Sequence, residues 1–434
     1  MRVLRTAVAA SVVAAVAITT LVGCGPSAAP TRAEVAVPGD APTIAAALEL
    51  VSPGGVIEIA AGQYDEQVVV DKPDVTIRGG DRNATVIDGG GIRPYGIVVI
   101  ADGVRIENLT VTRATFYGIL VTGLHDGDGP ASPGADGYSG WDPEAFPPLQ
   151  RFEVDHVTAH NNGLYGIYAF NAQHGVIRDS YASGSSDSGF YVGQCENCDI
   201  LVTGNVAERN AVGFENANAS DSVVIVGNRF SGNRVGMTLL SSYQEAFTPQ
   251  RGNLVVGNLI SDNFSTNSPS QAEGGFATGV GISGGQQNVF ERNRITGNTR
   301  AAVILTNTED LAALGNRFVD NVIDDAVSLA NLSAARTPAS GNCWPDAGLT
   351  VPQELAAQLG PSCEDGGQQS AATALEGPAA PDGVSFLKVA PPRDQPQLAR
   401  AAQYLPLPAS PELPDLTSVG VPGNDLYADR AGVR

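Results

Sequence analysis

A glycine-led unit recurs along this chain with an almost constant step, and few folds tolerate that. Gly166-Ile167, Gly189-Phe190, Gly213-Phe214 and Gly236-Met237 follow one another at spacings of 23, 24 and 23 residues. Gly118-Ile119 precedes them, and Gly281-Ile282, Ala302-Val303 and Ala326-Val327 extend the series. Within each unit apolar residues alternate, as in Ile167/Ala169, Phe190/Val192 and Met237/Leu239, which is the period of a half-buried strand. A unit this short cannot bury its own apolar face, so units must stack. Polar residues run in phase with them. One ladder reads Asp155, Asp179, Asn205, Asn228, Asn258, Asn293, Asn316 and Asn342. A second follows each glycine by five residues: Asn171, Gln194, Asn218, Ser241, Gln286, Asn307 and Asn331. Asparagine at one turn of every coil can bond to its stacked neighbour and accepts left-handed backbone. The expectation is an all-β chain, a right-handed parallel β-helix of about ten coils, each of three short strands, rising about 4.8 Å per coil.

The period and ladders resemble the pectate-lyase-like β-helix superfamily. The opening segment, Pro42-Thr43-Ile44-Ala45-Ala46-Ala47-Leu48 followed by Pro53-Gly54-Gly55 and Gly62-Gln63-Tyr64, resembles the first coil of pectin methylesterases and of periplasmic copper-protein maturation β-helix proteins. That resemblance implies a short N-terminal capping helix and covers about residues 37–345. It speaks for fold more than for activity, because one scaffold carries many chemistries.

The ends of the chain have their own signals. Arg2 and Arg5 precede an apolar run, Ala7 to Thr20, which ends in Leu21-Val22-Gly23-Cys24. This resembles a bacterial lipobox, implying a signal peptide over 1–23 and lipid on Cys24. Residues 24–36 read as a tether, 37–363 as the β-helix domain and 364–434 as a Pro/Ala-rich tail, in part disordered or laid along the helix. The expected location is the outer face of the cytoplasmic membrane, lipid-anchored. Cys195, Cys198, Cys343 and Cys363 remain in an exported chain and are expected as disulfides 195–198 and 343–363. With 46 acidic against 25 basic residues the net charge is −21, which excludes a nucleic-acid partner. The protein is expected to be monomeric.

Outward positions on the glycine-led strand form a surface column: Leu120, Tyr168, Tyr191, Glu215, Thr238, Ser283, Ile304, Ser328. Phe170 stands in the next column. Aromatic faces beside a carboxylate suit sugar rings. Tyr168, Phe170, Tyr191, Trp141 and Arg234 are therefore candidate substrate contacts. Glu215 or Asp187 is the candidate acid or base, with Tyr191 or His160 as partner. Three insertions break the period: Gly123–Leu149, with His125, Tyr138 and Trp141; Ser241–Gln250, with Tyr243, Glu245 and Phe247; and Thr266–Ala277. Such loops often carry binding residues.

Catalytic patterns of the superfamily are mostly missing. Gln173-His174-Gly175 precedes Asp324-Asp325, the reverse of the polygalacturonase order, and Asp142-Pro143-Glu144 lacks the histidine of mannuronan epimerases. A lyase would need Ca²⁺ or another cation for its uronate substrate. Three readings stay open: a surface lipoprotein that binds a polysaccharide or envelope glycan, with or without processing it as lyase, epimerase or hydrolase; a non-catalytic envelope or adhesion module; and a copper- or zinc-handling protein with Cys195, Cys198, His174 and Asp221 as ligands.

Overall fold

The computed structural model describes residues 31–126, 129–131, 142–345, 355, 368–369, 375–399 and 405–433. Three long parallel sheets, of 11, 10 and 10 strands, run the length of the chain. Each coil supplies one strand to the first, the second and the third sheet in turn. Ile200–Thr203, Val206–Glu208 and Val212–Ser220 make one such coil. The winding is the right-handed parallel β-helix expected from the repeat. Inward residues Ile167, Ala169, Phe190, Val192, Met237 and Leu239 all lie in one continuous core. Phe290, Phe318 and Trp344 stack near its C-terminal end, at centroid distances of 4.7 and 3.9 Å.

The recurring glycine has a steric cause. A Cβ on Gly166 would stand 2.5 Å from the Gly189 carbonyl oxygen, and one on Gly213 would stand 2.5 Å from that of Gly236. Only glycine lets successive coils approach this closely. Two members of the series are misaligned by two residues. Met237 pairs with Val280, and Val303 with Leu329. Gly279-Val280 and Ser328-Leu329 are therefore the equivalents, rather than Gly281-Ile282 and Ala326-Val327. A slip of two keeps inward residues inward, so the alternation did not reveal it.

Asparagine ladders occupy three corners, where the ladder running from Asp155 to Asn342 was expected to be one. Between the first and second strands, Asn205, Asn228, Asn258, Asn293 and Asn321 bond in sequence. Between the second and third run Asn210, Asn233, Asn263 and Asn298, ending on Asp325. Before the first strand run Asn253, Asn288, Asn316 and Asn342. Asn316 and Asn342 thus belong to a different corner from Asn293. Asp155 and Asp179 fall outside the first ladder. Ser180, one residue later, donates its N–H to Asn205 instead.

At the N-terminus Thr43 caps helix Ile44–Leu50, accepting from the Ala46 N–H, and Ile44, Ala47 and Leu48 enter the core. Arg32–Val37 pairs with Val51–Ile59 as the first strand, so the stretch expected as tether is structured over its last residues. Cys195 and Cys198 form a disulfide. Cys343 is disulfide-bonded, and Cys363, its expected partner, lies outside the described residues, as does Cys24.

The described tail residues are laid along the helix. Buried and half-buried arginines hold its main chain: buried Arg234 donates to the Pro381 and Asp382 carbonyls and buried Arg82 to Pro396, and half-buried Arg292 donates to Leu416 and Arg294 to Pro422. Arg82 is fully buried, and burial with Arg430 nearby pulls its guanidinium down to about 9. Its remaining donors reach Thr158 and the carbonyls of Val157 and Asp179.

Two outcomes are expected. Asn228→Ala removes an acceptor used twice by Asn205 and a donor group used by Val202, Val226 and Asn258. It should cost roughly 3 kcal/mol in denaturant unfolding, since several buried groups lose partners. Deleting residues 375–434 should lower the melting temperature by about 5 °C or more, read by circular dichroism, whereas an undocked tail would leave it unchanged.

Candidate functional site

The outward column of the third sheet is set by its register. Leu120 pairs with Tyr168, Tyr168 with Tyr191, Tyr191 with Glu215 and Glu215 with Thr238. Beyond that the column continues through Gly281, Ile304 and Ala330. Ser283 and Ser328 are therefore not members. Parallel pairing puts successive side chains about 5 Å apart, so aromatic residues on adjacent coils must touch. They form a continuous row: Tyr95 on Tyr117 at 6.4 Å, Tyr117 on Tyr165 at 5.9 Å, Tyr165 on Tyr168 at 4.3 Å, and Tyr168 edge-on to Tyr191 at 4.7 Å. Phe170 lies 5.2 Å from Tyr168.

This row is not an open strip. Tyr168, Phe170 and Tyr191 retain 7, 2 and 1 % of their exposure, because the insertions roof them. Leu124, Ala131 and Phe146 of the first insertion pack on the same apolar cluster. The polar residues after each third strand anchor these loops. Asn171 donates to the Phe146 carbonyl, Gln194 accepts from the Ala246 N–H, and Asn218 donates to Ser242, Glu245 and Thr248. All three have positive φ, from 42 to 55°, which turns their side chains toward the loops. What stays open is a cleft of about 260 Å³ at the N-terminal end of the row, walled chiefly by Tyr95, Phe116, Tyr117, Leu124, Tyr168 and Phe170.

Beyond Tyr168, one and two coils on, three half-buried carboxyl groups gather. The Ser188 hydroxyl lies 3.1 Å from Asp187 Oδ1 and 2.9 Å from Glu215 Oε2, so one oxygen bridges both acids. Glu245 comes from the second insertion and accepts from the Tyr191 hydroxyl at 2.8 Å. Burial, then the charge of Asp187, holds Glu215 well above the usual carboxylate range. Burial also raises Asp187, against hydrogen bonds from Tyr165 and Ser188. Burial lifts Glu245 to about 7, against the Tyr191 hydrogen bond. Such a cluster can hold one carboxyl protonated beside an ionised one, which is what general acid–base chemistry requires.

Asp187, Glu215, Tyr168, Phe170 and Tyr191 are brought together. Others are not. His160 stands on the second sheet, with Nδ1 at 2.5 Å from Asn161 Oδ1, and is no partner for Glu215. Arg234 is buried and committed to Ser268 and the tail carbonyls, so it is not a substrate contact. Trp141 lies outside the described residues. Glu245 was visible only as a member of an insertion; no spacing links it to Tyr191.

The metal site built on the cysteines does not form. Both sulfurs are spent in the disulfide and buried in the core, His174 bonds Asp199, and Asp221 pairs with Arg251. Among the described residues, Asp155, His156 and Asp179 are the one group whose ligand atoms lie within 4.8 Å of one another. Arg178 already neutralises Asp155 at 3.0 Å, and His156 Nδ1 bonds it at 2.6 Å.

If Glu245 is held at about 7, the folded state keeps a proton that the unfolded chain loses above its ordinary 4.5. Stability should then fall as pH rises from about 4.5 to 7. Glu245→Gln keeps an acceptor for Tyr191 and removes that slope. It should gain roughly 1–3 kcal/mol over the parent at pH 8 and nothing at pH 4, by urea unfolding at both.

Residues 74–258 match the family described as a right-handed beta helix region. No curated protein matches the sequence. Among solved structures the chain is similar to the A-module of mannuronan C-5 epimerase AlgE4 of Azotobacter vinelandii, at 16% identity over 67% of this chain and 85% of that one, TM-score 0.43. Pectate lyase Pel9A is 16% identical over 75% of this chain and 82% of its own, TM-score 0.43. An alginate lyase from Paenibacillus sp. str. FPU-7 is 15% identical over 66% and 94%, TM-score 0.33.

Proposed function

We propose that this β-helix binds a glycan chain in the aromatic cleft and transfers protons on it at Asp187 and Glu215, with Glu245 as a third acid. The observation that carries this reading is the continuity of the two parts. Tyr168 lines the cleft and packs at 4.7 Å on Tyr191, whose neighbour in register is Glu215. A sugar stacked on Tyr117 and Tyr168 would have its next residue directed toward the acids. Phe116 is 48 % exposed at the mouth, which gives a further sugar a ring to lie on. Lipid on Cys24 would tether the protein outside the cytoplasmic membrane, where such glycans are found; the support is the Leu21-Val22-Gly23-Cys24 run.

The test separates binding from turnover. Tyr117→Ala should weaken glycan affinity about tenfold by removing one stacking face. Glu215→Gln should lower turnover about 10²–10⁴-fold while leaving affinity and circular dichroism intact. Indifference of both binding and turnover to both variants would instead favour a structural envelope module.

A further inference from the structure

We infer that the second insertion, Ser241–Gln250, is a pH-operated lid. It lies closed over Tyr191 and the acids while Glu245 carries a proton, and it lifts when Glu245 ionises, joining the aromatic cleft to Asp187 and Glu215. The inference does not depend on what the cleft binds. The cleft reaches Tyr168 and Phe170, and its lining includes neither Tyr191 nor any of the three acids. Tyr191 continues the aromatic row but keeps only 1 % of its exposure. Its hydroxyl donates to Glu245 of the insertion, at 2.8 and 3.0 Å from the two carboxylate oxygens. In the closed form the cleft and the acids are therefore separate, and Glu245 is part of what covers the row beyond Tyr168.

The insertion is pinned at its ends and lightly held between them. Ser241 and Gln250 are buried, and the Gln250 N–H donates to the Ser241 hydroxyl at 3.1 Å, so the loop leaves and returns through one neck. The Ser241 hydroxyl in turn donates to the Gly284 carbonyl at 2.7 Å. None of residues 242–249 belongs to an apolar cluster, whereas the first insertion contributes Leu124, Ala131 and Phe146 to one. The grip is polar. Asn218 donates to the Ser242 and Glu245 carbonyls and the Thr248 hydroxyl, and accepts from the Ser242 N–H. Gln194 accepts from the Ala246 N–H at 3.3 Å. On the outer side exposed Tyr243 donates to Asp310. A segment held by polar bonds rather than by apolar burial opens at low cost.

The groups around Glu245 make its proton the latch. Tyr191 meets it from the strand Ser188–Glu196, Asp187 from just before that strand, Glu215 from Val212–Ser220 and Tyr165 from the coil before. Glu273 of the third insertion acts on Asp187. Arg251, just past the neck, is paired with Glu196 and Asp221. Ionised Glu245 beneath a closed lid is thus a poorly solvated charge beside other acids, which disfavours closure. In the closed form burial holds Glu245 at about 7, against the Tyr191 hydrogen bond, and in the open form it returns to its ordinary 4.5. The closed form binds the proton more tightly, so opening increases about tenfold per pH unit between these two values and levels off above them. Burial raises Asp187 and Glu215 as well, and their ionisation acts in the same direction.

The experiment measures amide hydrogen exchange of the whole chain at pH 5.5 and 7.5, without glycan and with EDTA present so that no divalent cation takes the proton's place. Rates are corrected for intrinsic exchange, and a peptide spanning residues 241–250 is followed. Hydroxyl-radical oxidation of Tyr191 is the second readout, with fully buried Tyr181 as the internal reference. The expected result is exchange in the 241–250 peptide about tenfold or more faster at pH 7.5, with a matching rise in Tyr191 oxidation and no change in residues 142–149 of the first insertion or in Tyr181. Glu245→Gln, which keeps an acceptor for Tyr191 and cannot ionise, should hold the loop protected at both pH values. Equal protection of the parent loop at the two pH values would overturn the inference. So would a rise of tenfold or more that persists in Glu245→Gln, a loop that exchanges while Tyr191 stays unoxidised, or an equal loosening of the first insertion. None of these outcomes bears on whether the cleft takes a glycan.

Discussion

Stacked asparagines at the corners are the interaction on which the rest of this structure depends. A parallel coil must turn sharply three times, and each turn leaves backbone groups pointing into the protein with no strand partner. Asn228 shows how the problem is solved. Its carboxamide oxygen takes the Asn205 N–H, and its NH₂ reaches the Val202 carbonyl and the next asparagine in the ladder. Buried polar groups are thereby satisfied coil after coil, and the same bonds set the register in which every outward side chain is delivered. The aromatic row and the Tyr191–Glu215 pair exist because that register holds.

A second ordering principle acts from outside. The helix presents buried and half-buried arginines whose guanidinium groups donate to main-chain carbonyls of the tail. Carbonyl partners cost less desolvation than a second buried charge would. They also demand an extended strand of fixed path, which a Pro-rich segment supplies with little entropy to lose. The tail therefore covers arginine-bearing faces of the helix. The aromatic column of the third sheet is roofed by insertions instead.

The site reflects a division of labour between scaffold and loops. The scaffold contributes Tyr168, Tyr191, Ser188 and Glu215 at fixed intervals. The loops contribute Glu245 and the apolar roof, and they are gripped by Asn171, Gln194 and Asn218 at the end of the third strand. Roofing turns an aromatic strip into a short aromatic cleft and lowers the polarity around the acids. That loss of solvent is what raises Glu215 and Glu245.

By itself the sequence determined the winding, the inward residues and the neighbours Tyr168, Tyr191 and Glu215. The reason is that a repeat of nearly constant length maps spacing directly onto register. It also offered the cysteine pair 195–198, the local choice among the three pairings that four cysteines allow. It did not reveal the slips at Gly279 and Ser328, because a shift of two preserves the apolar alternation. Nor did it assign the asparagines to three corners, since coils of unequal length carry one residue type at more than one turn. The meeting of Glu245 with Tyr191 and of Arg82 with Pro396 was decided only by the tertiary structure. Those contacts join segments whose return path depends on packing of whole loops and of the tail, and no local period encodes such a path.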